Sequence, residues 1–307
     1  MTTVFIDGAV GTTGLEIRER LAGRTDITLA LLPEDRRKDP AARREALNDA
    51  DFVILCLPDD ASREAVTLID NARTRVIDAS SAHRVAVGWT YGFPELPGQA
   101  GKVATAMRVS NPGCYPTGFL ALVAPLVAAG LIPADLPLSV NATSGYSGGG
   151  KAMIAAFENG EPATAFRAYA LDLAHKHIAE MTQHAGLTHA PIFAPAVANT
   201  YRGMVVEVPL HLHALPGRPS LAAIEDVLRA AFDGSKLVSV APSDIGSVDI
   251  EENAGTDRLM LRICGNDAVG HARLVATLDN LGKGAGGAAV QNLNIMAGVD
   301  PVAGLVF

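Results

Sequence analysis

Three features of the 307-residue chain predict a two-domain α/β protein. Short β-branched runs alternate with helical segments in the first half, the pattern of a parallel sheet with crossover helices. A glycine turn joins the first of these runs to the first helix. From residue 138 the apolar runs lengthen and alternate, which marks a second sheet of mixed or antiparallel strands. The length agrees, because roughly 100 to 200 residues make a domain. Hydrophobic residues at 49%, charged residues at 19% and a mean hydropathy of +0.22 provide a core and argue against disorder.

Each element has its own reason. Residues 3–7 (TVFID) read as the first strand. Residues 13–21 set Leu15, Ile17 and Leu21 among Glu16, Arg18, Glu19 and Arg20, an amphipathic helix. Strand 27–32 and a polar helix at 40–48 follow, and 52–57 and 76–78 continue the sheet. Between 79 and 106 the pattern dissolves into glycine and proline loops. Residues 114–132 are apolar almost throughout, with Pro116 and Pro125 inside them, so a buried helix is expected in preference to a membrane span. PIFAPAV (191–197), MVVEVPLHLH (204–213) and RLMLRI (258–263) supply strands of the second sheet, with helices at 171–184 and 221–232 laid on it. The stretch GKGAGGAAVQNLNIMAG (282–298) opens with glycines and continues as a helix that could return to the first domain. The expected boundaries are 1–113 with 285–307, and 114–284.

Charge and cysteine content exclude several function classes. With 25 basic and 33 acidic residues, net charge −8 and pI 5.5, the chain has no cationic excess for neutralising nucleic-acid phosphates. Cys56, Cys114 and Cys264 are odd in number and far apart, which suits neither a disulfide framework nor a zinc cluster, and no metal is expected. The start, MTTVFIDGAVG, enters a strand without a basic leader, so a soluble cytoplasmic protein without a membrane partner is the expectation.

Gly8, Gly11 and Gly14, with Thr12 and Thr13 between the last two, link the first strand to the first helix. Such a turn lets backbone N–H groups approach a pyrophosphate at the positive end of the helix dipole. The spacing is GxxGxxG and not the commoner GxGxxG. After the second strand come Glu34 and Asp35, then Arg36, Arg37 and Lys38. That basic trio can hold a 2′-phosphate, which favours NADP over NAD.

Cys114 lies in SNPGCYPTG (110–118), with a glycine before it and an apolar helix after it. A thiol there feels the helix dipole and free N–H groups, which favour its thiolate and offer an oxyanion site. Cys56 and Cys264 sit in apolar strands, where an inert thiol is expected. The glycine-dense SGYSGGGK (144–151) offers Ser147 and Gly148 as a backbone nest for phosphate or nicotinamide, with Lys151 supplying charge.

SNPGCYPTG, the loop DGAVGTTG (7–14), YGFPEL (91–96), SGYSGGGK, HKHIAEM (175–181) and AVQNLNIMAG (289–298) together resemble N-acetyl-γ-glutamyl-phosphate reductases in their shorter form, over 5–305. The resemblance implies a Rossmann-type dinucleotide-binding domain plus an α+β substrate and dimerisation domain of semialdehyde-dehydrogenase type. It implies NADPH-dependent reductive dephosphorylation of N-acetylglutamyl phosphate in arginine biosynthesis, through a Cys114 thioester. The catalytic base would come from His175-Lys176-His177. His177 is favoured because Glu180, three residues on, can orient it in a helix, and His175 is the alternative. Only one imidazole is expected to face the sulfur.

Arg202 and Arg84 are candidate holders for phosphate or carboxylate. Asn111 is a further substrate contact, and Asn292 is a candidate partner for the nicotinamide amide or a helix cap. Small-molecule substrate, phosphate and a second or fourth copy of the chain are the implied partners. Sister chemistry on aspartyl phosphate and a non-catalytic dinucleotide sensor are the competing readings. His83, in IDASSAHR (77–84), departs from the longer form of the family, and the chain is shorter between the cysteine and the histidine pair.

Overall fold

Strand β1 (Thr2–Asp7) sends Val4 and Ile6 to one face of a sheet and Phe5 to the other, all nearly fully buried. A strand apolar on both faces belongs in the middle of a covered parallel sheet. The computed structural model describes residues 1–159 and 164–307 and divides into two compact units. The first comprises 1–94, 98–112 and 285–305.

Its elements are α1 (Thr12–Leu21), β2 (Ile27–Ala30), α2 (Pro40–Asp49), β3 (Phe52–Leu55), α3 (Asp59–Thr67), β4 (Arg75–Asp78), β5 (Thr90–Tyr91), α4 (Gln99–Thr105) and β6 (Arg108–Ser110). The six strands are parallel in the order β2-β1-β3-β4-β6-β5. On one face Val4, Ile6, Ile54, Ile77 and Val109 pack on Ile17 of α1, Val103 of α4 and a helix near the C terminus. On the other, Phe5, Val53, Leu55 and Val76 pack on Leu47 of α2 and Ala65 of α3. α2 starts as its sequence demands, with Asp39 accepting the Ala41 N–H at 2.9 Å and Pro40 in the first turn.

Several expectations change. The stretch 79–106 is not only loop, since it holds β5 and α4. β2 stops at Ala30 and β3 at Leu55, each three residues before a proline, Pro33 and Pro58, which cannot donate to a ladder. Leu15 is 43% exposed, whereas Glu16 is buried and paired with Arg20 at 2.7 Å, so the apolar face of α1 is narrower than its leucines suggest.

The second unit comprises 95–97, 113–284 and 306–307. In order it has α5 (Cys114–Ala128), β7 (Ser139–Gly145), α6 (Gly150–Glu158), β8 (Phe166–Ala168), α7 (His177–Ala185), β9 (Ile192–Ala198), β10 (Met204–His211), α8 (Leu221–Ala231), β11 (Val238–Val240), β12 (Leu259–Asn266) and β13 (His271–Leu278). The helix near the C terminus, which packs in the first unit, is α9 (Gly287–Ala297). The sheet is mixed, in the order β11-β12-β13-β10-β7-β9-β8, with β7–β9 and β11–β12 parallel and the other pairs antiparallel.

α5 is the core of this unit. Phe119, Leu120, Leu122, Val123 and Leu126 have no exposed surface, and burying each such side chain stabilises by roughly 1.5–3 kcal/mol. Pro116 falls in the first turn, where an N–H has no helical partner, and the helix runs on through Pro125. Helix 171–184 begins six residues later than expected, at His177. Ala170 (φ +50°) and Leu173 (φ +57°) are left-handed, which a right-handed helix cannot contain, and Leu171 and Leu173 point to solvent. Among the described residues no helix is long and apolar enough to cross a membrane.

Candidate active site

The turn from β1 into α1 can be made only by a residue without a side chain. Gly8 has φ +90°, and a Cβ on it would lie 2.3 Å from the Cys56 carbonyl oxygen at the end of β3. A Cβ on Gly14 would lie 2.5 Å from the Gly8 oxygen. Gly11 donates its N–H to that same oxygen at 2.9 Å and forms the N-cap of α1, which has no side-chain capping hydrogen bond.

Within the same unit, Gly8, Ala9 and Val10 line a cavity of about 810 Å³ whose other walls include Leu31, Leu32, Glu34, Arg37 and Lys38. Arg18, Arg37, Lys38 and Arg43 outnumber Asp7 and Glu34 in these walls, so the cavity is cationic although Arg43 pairs with Asp7 at 2.8 Å and Arg37 with Glu34 at 2.5 Å. Arg36 is not part of the lining. A glycine cradle at a helix N terminus beside a cationic cavity fits a dinucleotide.

At the C-terminal ends of β4 and β6, Arg84, Asn111 and Asn292 come together. Arg84 is buried and donates from Nε to the Asn111 carbonyl at 3.0 Å and from Nη2 to the Ala79 carbonyl at 3.2 Å. Asn111 donates from Nδ2 to the Ala285 carbonyl at 2.9 Å. Asn292 gives its amide N–H groups to the Gly92 carbonyl (2.9 Å) and Asn111 Oδ1 (3.1 Å), while its own buried Oδ1 has no hydrogen-bond partner among the described residues. Only that oxygen remains for a ligand. His83 lies 2.5 Å from the buried carboxylate of Asp78 through Nδ1 and stacks on Trp89 at 4.0 Å.

In the second unit Cys114 is the first residue of α5, half-buried, with Gly113 as N-cap and no side-chain cap. Glu180, on the first turn of α7, accepts the Gly113 N–H at 3.1 Å through Oε2, and its Oε1 lies 3.9 Å from His177 Nε2. One buried carboxylate therefore lies between the Cys114 loop and an imidazole. His175 and His177 are neighbours, with ring centroids 4.5 Å apart, and both pack on Tyr115. The reason is the late start of α7, which leaves His175 in a turn before the helix.

Tyr115 donates to the Ala196 carbonyl at 3.0 Å and Tyr169 to the Tyr115 oxygen at 3.3 Å. Burial pushes the Tyr169 hydroxyl up to about 12 and Tyr115 well above its usual value, so both remain protonated donors. The same effect raises the other two thiols, Cys56 to about 12, with Asp78 and Asp7 adding to it, and Cys264 to a lesser degree.

Arg202 forms an ion pair with the fully buried Asp279 at 3.3 Å while its side chain stays 26% exposed. Asp279 precedes the turn where Gly284 approaches the cysteine so closely that a Cβ on it would lie 2.9 Å from Cys114 Cβ. Ser147 accepts from Asn280 Nδ2 at 2.9 Å, and Gly148 packs on the same asparagine. Lys151 is exposed on α6.

Tyr115, Tyr169, Asp279 and the buried ion pair of Lys283 with Glu95 (2.6 Å) were not singled out by sequence reasoning. Glu95 stands in YGFPEL, a motif of the resemblance, and that was the available signal; Lys283, in the glycine run before AVQNLNIMAG, carried none. Among the described residues no group of three His, Cys, Asp or Glu is placed to hold a metal ion.

Comparison with known proteins agrees with this geometry. Residues 3–104 match the family model "Semialdehyde dehydrogenase, NAD binding domain", and residues 114–280 match "Semialdehyde dehydrogenase, dimerisation domain". Among solved structures, aspartate semialdehyde dehydrogenase II of Vibrio cholerae, complexed with ASA, is similar with a TM-score of 0.73 at 17% identity over 97% of this chain and 98% of that one. The enzyme of Candida albicans with NADP aligns with a TM-score of 0.67 at 13% identity, over 97% and 98%. These likenesses establish a Rossmann-type α/β unit with an α+β partner, the semialdehyde dehydrogenase fold.

Sequence relatives are much nearer. N-acetyl-gamma-glutamyl-phosphate reductase 2 of Pseudomonas putida is 51% identical over 96% of both chains. The N-acetyl-gamma-glutamyl-phosphate reductase of Brucella anthropi is 51% identical over 96% of this chain and 98% of its own. With half of all positions shared along nearly its whole length, the chain belongs to the N-acetyl-γ-glutamyl-phosphate reductase family of oxidoreductases.

Proposed function

We propose that this protein reduces N-acetyl-L-glutamyl 5-phosphate to N-acetyl-L-glutamate 5-semialdehyde with NADPH, a step of arginine biosynthesis. The observation that carries the reading is Cys114 at the N terminus of α5, with Glu180 joining its loop to His177. In this reading residues 1–113 and 285–307 bind NADP and residues 114–284 bind substrate. The dimerisation family model over 114–280 supports a homodimer or homotetramer. A cytoplasmic location belongs to the same proposal, supported by three free thiols.

Cys114 Sγ attacks the acyl carbon, a C–S bond forms, and the bond from carbon to the phosphate oxygen breaks. The thiol proton passes to His177, whose charged form Glu180 stabilises, and from there to the departing phosphate. A bound nicotinamide dinucleotide supplies hydride to the thioester carbon. The resulting alkoxide collapses, expels the Cys114 thiolate and releases the aldehyde. Backbone N–H groups at the start of α5 are suited to holding the oxyanion.

Arg202, Lys151, Arg84 and Asn111 are proposed to hold the substrate's anionic groups. Gly8, Gly11, Thr12, Thr13 and Gly14 are proposed for the pyrophosphate, and Ser147, Gly148 and Asn292 for the nicotinamide end. Arg36, Arg37 and Lys38 are proposed for the 2′-phosphate, of which Arg37 and Lys38 line the cavity, and its cationic excess supports NADP over NAD.

The test is the reverse assay, reduction of NADP by N-acetylglutamate semialdehyde and phosphate, beside NAD and aspartate semialdehyde. A rate confined to the acetylated aldehyde and NADP is expected, and turnover of aspartate semialdehyde alone overturns the reading. Removing Arg37 and Lys38 together, as alanines, is expected to raise KM for NADP about 10- to 100-fold, the worth of one or two hydrogen bonds to a charged group, with KM for NAD little changed.

A further inference from the structure

Helix α7 starts without an ordinary cap. Lys176 occupies the N-cap position in helical conformation (φ −57°, ψ −22°), and its side chain makes no capping hydrogen bond. The amides of the first turn must be satisfied by something else. His175 does so twice. Its ring Nδ1 accepts the His177 N–H at 3.1 Å, and its carbonyl accepts the Ile178 N–H at 3.0 Å.

The first of these bonds fixes a chemical state. A backbone N–H can only donate, so Nδ1 of His175 must offer a lone pair, and the ring's proton then sits on Nε2. The rings of Phe193, Tyr169, Tyr115 and His177 surround this imidazole at centroid distances of 5.2, 5.7, 6.2 and 4.5 Å, all steeply inclined to it. They hold the ring plane in the orientation that the capping bond needs.

We propose that His175 is a positioning residue, kept as the neutral Nε2–H tautomer, whose Nδ1 caps α7 and thereby sets His177 against Glu180 and the Cys114 loop. The two imidazoles then have separate tasks. His177, with the Glu180 carboxylate beside its Nε2, carries the transferable proton. His175 does not change protonation during turnover. The activity consequence rests on the reductase reading, whereas the tautomer and the cap do not.

The experiment has three readouts on the full-length protein. In protein labelled with 15N in its imidazoles, long-range 1H–15N spectra at pH 7.5 are expected to show His175 protonated at Nε2 only, assigned by the signal lost in His175→Asn. Hydrogen exchange at the His177 amide is expected to be fast in His175→Ala and slow in the native protein and in His175→Asn, because an asparagine oxygen can cap without titrating. In steady-state assays His175→Ala is expected to lower kcat about 10- to 100-fold with KM nearly unchanged, and His175→Asn to recover most of that loss, whereas His177→Asn loses about 10²- to 10⁴-fold.

A His175 signal with protonated Nδ1, or a His175→Asn protein as inactive as His177→Asn, overturns the proposal. A native protein without reductase activity defeats the functional reading instead, and the spectra and exchange rates still decide the tautomer and the cap.

Discussion

Cys114→Ser is expected to lose at least about 10³-fold in kcat while NADPH still binds, because the hydroxyl that replaces the thiol is almost never ionised near neutral pH and is a poor nucleophile toward an acyl phosphate. No other thiol can replace it. Burial, with Asp78 and Asp7, pushes Cys56 up to about 12, so at pH 7 only roughly one molecule in 10⁵ carries that thiolate. Cys264 is raised as well, by the same desolvation. The chemical counterpart is alkylation. Iodoacetamide at pH 7 is expected to modify Cys114 first, one equivalent per chain by peptide mass spectrometry, and activity should fall in proportion. Retention of more than about a tenth of kcat by Cys114→Ser, with NADPH affinity confirmed by calorimetry, would remove the thioester from the mechanism.

The place of Cys114 at the start of α5 was legible because its signal is local. A cysteine between a glycine and an apolar run needs only the next helix to acquire its environment, and α5 forms where the composition says it must. The first sheet was legible for the same reason, since strand, turn and helix follow one another within thirty residues and the alternation of Val4, Phe5 and Ile6 has a period of two. What the sequence hides are partnerships between distant positions. Glu95 and Lys283 are 188 residues apart, Arg202 and Asp279 are 77 apart, and no periodicity encodes either ion pair.

Short elements also escape. The two-residue β5 and the seven-residue α4 are too brief to establish a period against a background of glycine and proline. The late start of α7 escapes because nothing in the composition of 171–176 announces the left-handed Ala170 and Leu173 that keep the chain out of a helix there, with Leu171 and Leu173 pointing to solvent. The relation of the two histidines is hidden with it. Only with His175 outside the helix can its ring turn back onto the His177 amide.

Gly8→Ala is the second substitution with a large expected effect, and it tests the nucleotide loop without touching the chemistry. At φ +90° an alanine is strained, and its methyl group would lie 2.3 Å from the Cys56 carbonyl oxygen. That oxygen cannot easily retreat. Asp7 pairs with Leu55 in the sheet, and the Cys56 N–H donates to the Asp7 carbonyl at 2.8 Å. Left-handed strain and overpacking together cost about 2–5 kcal/mol, a large part of the roughly 5–15 kcal/mol that holds a typical domain. The Tm is expected to fall by about 5–15 °C.

Any relief must move the Gly8 carbonyl, which accepts the Gly11 N–H at 2.9 Å and lies against Gly14, so the first turn of α1 moves with it. NADPH affinity should therefore drop about 100-fold or more, the worth of two or more hydrogen bonds to a charged group. Gly11→Ala supplies the contrast. Gly11 has φ −75°, open to any residue, and its nearest neighbour would be the Gly8 oxygen at 3.3 Å. Its Tm should stay within about 3 °C of the parent, in line with a cost near 1 kcal/mol or less, so a fall in NADPH affinity there reports the crowding of the pyrophosphate path alone. Equal Tm values for Gly8→Ala and the parent would show that β1 and β3 do not hold the loop as rigidly as their pairing requires.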